Sequence, residues 1–545
     1  LMLDEMIQDT ATQELTVSFV SLGCAKNLVD SEKMLGQLAE AGCVLVSGDG
    51  DADVVVINTC GFLSASRDEA HDVIREAVAA KEEGRCRRVV VAGCLVQRDG
   101  GGMSDAVPGI DALVGVNNRD DVVRAVLGET GWHVSADAAS RQINQETPTS
   151  AQGGDVSLAV IGGGVEDGRP GRRPLQEIGS TRNGRADGPE LFLGDYHPFQ
   201  QTDFGRLRIT PRHYAYLRIS EGCDQKCTFC TIPSIRGPMH CKPPQVVMAE
   251  ARELVADGAV EISLIGQDTT SYGFDIGYDR GLAGMLRELN TVNGLRWLRL
   301  MYVYPSIFTD DMIDAIDSSD KVVNYIDIPL QHINDRMLKA MHRRVTRAET
   351  EALLAKLRQR IPAVHIRTTM IAGFPGETDA EFEELVDFVR DFGFDALGVF
   401  PYSLEPDTPA GRMKHQLPDE VKQQRVDHLM TVQQEVAFRR ADDQVGRRVD
   451  VLLEEAVGEI ELPAELTPHR HGTKKGRKGK AGRSRTVSVR QGRHYGQAPG
   501  VDSVTWVAKT DGQPGMFVES RIVGRSDYDL LAVPVGQSLP VIAGA

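Results

Sequence analysis

Three apolar runs near the start of the chain are laid out alike. Thr16-Val17-Ser18-Phe19-Val20, Asp53-Val54-Val55-Val56-Ile57-Asn58 and Arg88-Val89-Val90-Val91-Ala92 read as strands. The second and third are continuous, the pattern of strands buried on both faces of a parallel sheet, whereas the first is more mixed. Helical stretches from Ser31 to Ala41 and from Ala65 to Glu83 separate them, which predicts β-α-β-α-β. From Tyr214 to about Tyr402 the alternation resumes. Ala215–Ile219, Glu261–Ile265, Leu298–Tyr302, Tyr325–Ile328, His365–Ile371 and Leu397–Phe400 are the expected strands of a (β/α)6 partial barrel. A charged helical stretch from Arg425 to Asp442 follows. Beyond it lies β-type alternation at 446–455, 501–508, 515–523 and 528–533, which suits a small all-β barrel.

The expected fold class is therefore multidomain α/β. An N-terminal parallel α/β domain covers 14–131, a TIM-like partial barrel 207–435, and an all-β barrel 436–545. Between the first two, residues 132–206 break the pattern. Positions 151–190 hold ten glycines and no aromatic residue, too little apolar surface to offset the entropy of ordering. This span is expected to be a linker without stable structure, and Gly162-Gly163-Gly164 within it precedes no convincing helix that would make it a phosphate loop.

Composition narrows the class. Hydrophobic content of 41% and charged content of 26% are those of a globular protein. No apolar run is long enough to span a bilayer, and the acidic start Leu1-Met2-Leu3-Asp4-Glu5-Met6 lacks the charge order of a signal peptide. A cytoplasmic protein without membrane contact is expected. The net charge of −17 argues against a general nucleic-acid binder. Charge is unevenly placed at the C-terminal end. Residues 466–494 carry ten Lys+Arg and no acid, a stretch expected to be an inserted loop, while the rest of 446–545 carries five Lys+Arg against eleven Asp+Glu. An acidic barrel repels phosphate but can grip a basic protein, and the basic stretch could hold RNA beside it.

The nine cysteines carry the chemistry. Cys223, Cys227 and Cys230 stand in the loop after the first barrel strand, spaced to hold three irons of a 4Fe–4S cluster and leave the fourth open. Zinc would require a fourth paired Cys or His, and Cys241 stands in no such pattern. A second set lies in the N-terminal domain. Cys24, Cys60 and Cys94 each follow a strand and each stands beside a glycine: Gly23, Gly61 and Gly93. All three should emerge at the carboxyl edge of one sheet, where open α/β folds place ligands. Cys43 and Cys86 precede strands, at the opposite edge. The alternative for the three is ordinary small buried residues.

The loop Gly222-Cys223 to Phe229-Cys230 resembles the signature of radical S-adenosylmethionine (SAM) enzymes, in which the open iron chelates the cofactor's methionine part and one electron releases a 5′-deoxyadenosyl radical. With two such cysteine sets the chain resembles the methylthiotransferases, whose layout is a three-cysteine domain, a radical domain and a β-barrel called TRAM. Ser21-Leu22-Gly23-Cys24-Ala25-Lys26-Asn27, Ile219-Ser220-Glu221-Gly222-Cys223, Ile328-Pro329-Leu330-Gln331-His332 and Gly373-Phe374-Pro375-Gly376-Glu377 look like the RimO branch. The tRNA-modifying branch usually has Gln and Met where this chain has Ala25 and Lys26, and Ser at His332.

The resemblance implies two 4Fe–4S clusters and SAM. It implies methylthiolation of the β-carbon of an aspartate in small-subunit ribosomal protein twelve, on the ribosome or free, with an electron donor such as flavodoxin or ferredoxin. Gly266, Gln267, Asp268, Gly373 and Glu377 match cofactor-binding loops, and Phe229 and Gln331 complete the expected cofactor contacts. Open alternatives are that Gln331 and His332 are a satisfied polar pair, that Glu377 serves the start of the following helix, and that Arg236 makes a surface salt bridge rather than lying near the site. Two rival functions stand beside this one: a tRNA adenosine methylthiotransferase, and a non-catalytic iron–sulfur electron-transfer or ribosome-binding protein. Deleting the basic stretch and following ribosome affinity against salt tests the RNA contact. A shallower salt dependence is expected, and an unchanged slope would reject the contact.

Overall fold

A doubly wound order organises the first sheet. Its strands are β1 (Thr16–Ser21), β2 (Val44–Val46), β3 (Val54–Thr59), β4 (Arg88–Gly93), β5 (Ala112–Gly115) and β6 (Glu190–Phe192), arranged β2-β1-β3-β4-β5-β6 with every pairing parallel. This computed structural model describes residues 14–47, 52–128, 188–194, 202–462 and 485–536. Helices α1 (Ala25–Glu40) and α2 (Ser64–Glu82) make the crossovers, and the short α3 (Cys94–Asp99) starts directly at the end of β4. Valines of the continuous runs are buried on both faces: Val54, Val56 and Val90 pack with Met34 and Leu38, while Val89 and Val91 pack with Ile74 and Leu113.

Two pieces of the span expected to be unstructured linker belong to the fold. Glu190–Phe192 adds β6 to the sheet edge, and Asp203 is buried at 3% exposure. A three-residue strand is too short to stand out in a glycine-rich background, and Asp203 is ordered by charge partners distant in sequence. The rest of that expectation, residues 132–187 and 195–201, lies outside the described residues. Arg88, at the start of β4, holds both flanks of this span: its Nε donates to the Ala125 carbonyl at 2.7 Å and its Nη2 to Glu190 Oε1 at 2.9 Å.

The described residues fall into two compact units. One runs to Thr210 and takes in Tyr216–Gln225 and Cys230–Glu253; the other holds the short pieces between these and everything from Leu254 on. The second sheet follows chain order. Strands β7 (Tyr214–Arg218), β10 (Glu261–Ile265), β11 (Trp297–Leu300), β12 (Val322–Asp327), β13 (His365–Ala372) and β14 (Ala396–Pro401) lie side by side in that sequence, with parallel pairing from β10 through β14. Between β7 and β10, β8 (Ser220–Glu221) and β9 (His240–Cys241) form a two-stranded antiparallel pair. Helices start where side chains satisfy their free amides: Thr346 and Thr378 each close a reciprocal capping box, with Glu349 and Glu381.

The C-terminal strands close a barrel in the order β15-β16-β17-β19-β18, built from β15 (Arg448–Leu462), β16 (Arg485–His494), β17 (Thr505–Ala508), β18 (Phe517–Ser526) and β19 (Asp529–Pro534). The expected basic loop at 466–494 is corrected here, because its last ten residues form β16. Val489 is buried on alternate spacing with Val487, a period of two hidden by the surrounding arginines. Residues 463–484 lie outside the described residues, so the deletion that tests RNA contact should end before Arg485.

Within the second unit the barrel strands and the sheet share one buried ion cluster. Glu261 is fully buried and takes Arg299 at 2.9 Å and Arg493 at 2.8 Å; Arg493 also reaches Glu454 at 2.6 Å. Burial alone would raise the Glu261 carboxyl, but Arg493 and Arg299 hold it below its usual range. Glu261→Gln leaves Arg299 buried without its carboxylate partner and Arg493 with Glu454 alone, and is expected to cost about 3–5 kcal/mol in chemical denaturation. Because the folded value is depressed, the contribution is present above about pH 4.5 and drains away as acid titrates the folded carboxylate.

Candidate metal centres and cofactor site

Cys24, Cys60 and Cys94 follow β1, β3 and β4, which are immediate neighbours in the sheet. The order reverses around β1, and this is where doubly wound sheets open a crevice at their carboxyl edge. Cys24 caps α1 and is exposed, Cys60 is half-buried, and Cys94 is buried as the first residue of α3. The adjacent glycines have a definite role. A Cβ on Gly23 would sit 2.8 Å from Cys60 Cβ, one on Gly61 would sit 2.8 Å from the Cys94 carbonyl carbon, and one on Gly93 would sit 2.2 Å from Asn58 Oδ1. The three loops approach so closely that side chains at these positions would drive them apart. Asn58 Nδ2 ties the floor by donating to the Asn27 carbonyl at 2.9 Å and to Ser31 Oγ at 2.8 Å.

Burial pushes the Cys94 thiol up to about 12, against the opposing pull of Arg236, and raises Cys60 as well. Metal binding must therefore displace protons from these thiols. Among the described residues no three His, Cys, Asp or Glu side chains converge on a point that would hold a single ion. On a cubane each thiolate binds a different iron. Cys43 and Cys86 are buried in the apolar core, on the far side of their strands from this edge, as expected.

The loop holding Cys223, Cys227 and Cys230 leaves β8. Gly222 has φ +76°, and a Cβ there would lie 2.1 Å from the Pro238 carbonyl oxygen. The amide of Cys223 donates to the Gly237 carbonyl at 3.2 Å, and Cys230 Sγ accepts from the Ile232 amide at 3.4 Å. In the second unit, Cys227 Sγ lies 3.6 Å from Arg343 Nη1 and 4.0 Å from Tyr304 Oη. Arg343 stacks 4.1 Å over the Tyr304 ring and donates to the Pro329 carbonyl at 2.6 Å, so its guanidinium is fixed beside the sulfur. Burial, opposed by Arg343, pushes the Tyr304 hydroxyl up to about 12. Nothing in the sequence pattern singled out Arg343 or Tyr304.

The expected cofactor residues separate into two groups. Gln331 fits a ligand: its φ is +76°, its backbone is clamped between the Thr369 carbonyl and the Ile371 amide, and its Oε1 is buried with no partner. A strained non-glycine residue with an unsatisfied oxygen at a strand end is a common mark of a binding position. Phe229 packs against Met337, Met341 and Phe374. Gly266 and Gln267 follow β10, and Asp268 accepts from the Thr270 and Ser271 amides at 3.1 and 3.2 Å, shaping its own loop.

The other group serves the fold. Glu377 is fully buried and spends its carboxylate on His332 at 3.0 Å, the Gly373 amide at 2.7 Å and Arg425. Through the amide of Gly373 it fixes the turn after β13. His332 is a satisfied partner of Glu377. The missing side chain of Gly373 admits Lys422, whose Cγ would lie 2.5 Å from a Cβ there. Arg236 makes no surface salt bridge; it is buried against Cys94, Asp30 and Glu221.

Family models match three stretches: the radical SAM superfamily over 217–389, the uncharacterized protein family UPF0004 over 16–115, and the TRAM domain over 484–535. The chain is 38% identical over 524 residues to a Symbiobacterium thermophilum protein named ribosomal protein uS12 methylthiotransferase RimO, covering 96% of this chain and 91% of that one. A protein of the same name from Syntrophotalea carbinolica is 35% identical over 533 residues, covering 98% and 100%. Among solved structures, the radical SAM methyltransferase TsrM from Kitasatospora setae aligns with a TM-score of 0.47 and 16% identity over 73% of this chain and 77% of that one, too remote to bear on function.

Gly61→Ala is expected to expel the N-terminal cluster, lowering bound iron from about eight to about four per chain, because its Cβ meets the Cys94 backbone. Gly102→Ala, with open space around it, should leave the iron content unchanged. Iron analysis beside circular dichroism checks both.

Proposed function

This chain belongs to the RimO family of ribosomal protein uS12 methylthiotransferases, and from that premise we propose that Cys24, Cys60 and Cys94 hold one of its clusters and Cys223, Cys227 and Cys230 the other. It is a radical SAM methylthiotransferase that uses two 4Fe–4S clusters and SAM and acts on ribosomal protein uS12. The observation that carries the ligand assignment is the meeting of three loops, from neighbouring strands, at glycines that tolerate no side chain. When bound, the clusters and SAM supply a radical able to take hydrogen from an unactivated carbon, and the sulfur and methyl group that replace it.

The chain's own residues bind, orient and enclose. Gln331 offers its buried oxygen to a donor on the cofactor, such as an amino group. The Gly266–Asp268 loop and Phe229 line the same site, and Glu377 holds the Gly373 turn in register. Arg343, braced on Tyr304 and Pro329, orients the Cys227 thiolate. The target is the β-carbon of an aspartate, where a C–H bond lacks the acidity that base catalysis needs. The electron comes from a small carrier such as flavodoxin or ferredoxin.

The charge distribution favours a protein substrate over tRNA. With the arginines of β16 counted the C-terminal barrel is only slightly acidic, so it does not attract phosphate by itself and can meet a basic ribosomal protein, while the basic stretch ahead of β16 suits ribosomal RNA beside it. No helix among the described residues is long and apolar enough to cross a membrane.

Mass spectrometry of ribosomal proteins and tRNA from cells with and without the gene tests the reading. A gain of about 46 Da (one sulfur and one CH₂), absent from uS12 alone when the gene is removed, is expected. Loss from a tRNA adenosine would move the assignment to nucleic acid. Replacing Cys24, Cys60 or Cys94 should abolish sulfur insertion and spare cofactor cleavage, whereas replacing Cys223, Cys227 or Cys230 should abolish both; retained cleavage in the second set would overturn the assigned roles.

A further inference from the structure

Arg236 ends the short helix Ile232–Arg236, six residues beyond Cys230, and is 4% exposed. Its Nη2 lies 3.1 Å from Cys94 Sγ, 3.0 Å from Asp30 Oδ2 and 3.4 Å from Asn27 Oδ1, and its Nη1 lies 2.9 Å from Glu221 Oε2. These groups all belong to the first unit. Asp30 and Glu221 do not depend on Arg236 for a countercharge, since Arg218 reaches them at 2.8 and 2.6 Å and Arg119 reaches Asp30 at 3.2 Å. Burying a further guanidinium is costly, and the group that gains from this one is the sulfur.

We propose that Arg236 is a positioning residue that sets the reduction potential of the Cys24/Cys60/Cys94 cluster by donating a charge-assisted hydrogen bond to Cys94 Sγ, with Glu221 and Asp30 aiming its fork. The inference rests on the reading of Cys94 as a cluster ligand. A donor on a ligand sulfur stabilises the more negative, reduced cluster and so raises its potential. The reaction has a use for this. When a carbon radical closes a bond to a sulfur lone pair, two of the three electrons enter the bond and the third must leave to an acceptor. A raised potential lets the cluster that presents the sulfur take that electron.

The test uses the full chain with Cys223, Cys227 and Cys230 replaced by alanine, so that only the N-terminal cluster forms. Iron content and an EPR-monitored redox titration are compared for Arg236, Arg236→Gln and Arg236→Lys. Arg236→Gln is expected to keep its iron and shift to lower potential by roughly tenfold in the reduction equilibrium, ~59 mV for one electron. Arg236→Lys, which keeps the charge but loses the fork, should fall between. Full iron with an unchanged potential in Arg236→Gln would overturn the proposal. If Arg236→Gln fails to fold, Arg236→Lys decides alone: a lowered potential supports the role, and the parent value overturns it. No iron in the Arg236 parent itself would defeat the ligand reading, and the proposal with it, a result distinct from a cluster that forms and ignores Arg236.

Discussion

The first unit depends on a buried lattice of charge. Asp203 takes Arg218 at 2.7 Å, Arg119 at 2.8 Å and Lys242 at 2.7 Å, and Arg218 passes on to Asp30 and Glu221. Burial would raise the Asp203 carboxyl, but Arg218, Lys242 and Arg119 together hold it well below the usual carboxylate range. An isolated charge at such depth costs several kcal/mol, so each member is tolerated only while the others are in place. The lattice draws α1, the end of β7, the cysteine loop and the start of the following helix toward one point. A set of apolar contacts would hold these parts with similar strength but would not fix their register, because hydrophobic burial has no direction.

That lattice also shows why the sequence was legible in some places and opaque in others. Cys24, Cys60 and Cys94 stood out because each follows an apolar run and carries a glycine, and both facts are local. The six strands of the second sheet were legible for the same reason. Asp30, Asp203 and Arg218 are ordinary charged residues in the sequence, and their partners lie up to 206 positions away. In the sequence only its nearness to the cysteines marks Arg236. β6 is three residues long, and the alternation of β16 was masked by its arginines; in each case a tertiary partner decided what local composition could not.

The cofactor loops illustrate a second distinction. Glycines and carboxylates at strand ends invite assignment to a ligand, yet Gly373 makes room for Lys422 and Glu377 gathers His332, Arg425 and an amide of its own turn. Gln331 differs because its backbone is strained and its oxygen is left over, and neither fact can be read from the identity of the residue.

Arg88 clasps both flanks of the long span between β5 and β6, holding the Ala125 carbonyl on one side and Glu190 on the other. The register of β6 is set by its pairing with β5, from Ala112 opposite Glu190 to Val114 opposite Phe192, and not by the number of residues between the two strands. Closure entropy grows only logarithmically with length. Evolution is therefore free to lengthen, shorten or rewrite the intervening segment at little thermodynamic cost. Tags or whole domains inserted there should leave the cysteine-bearing edge of the same sheet undisturbed.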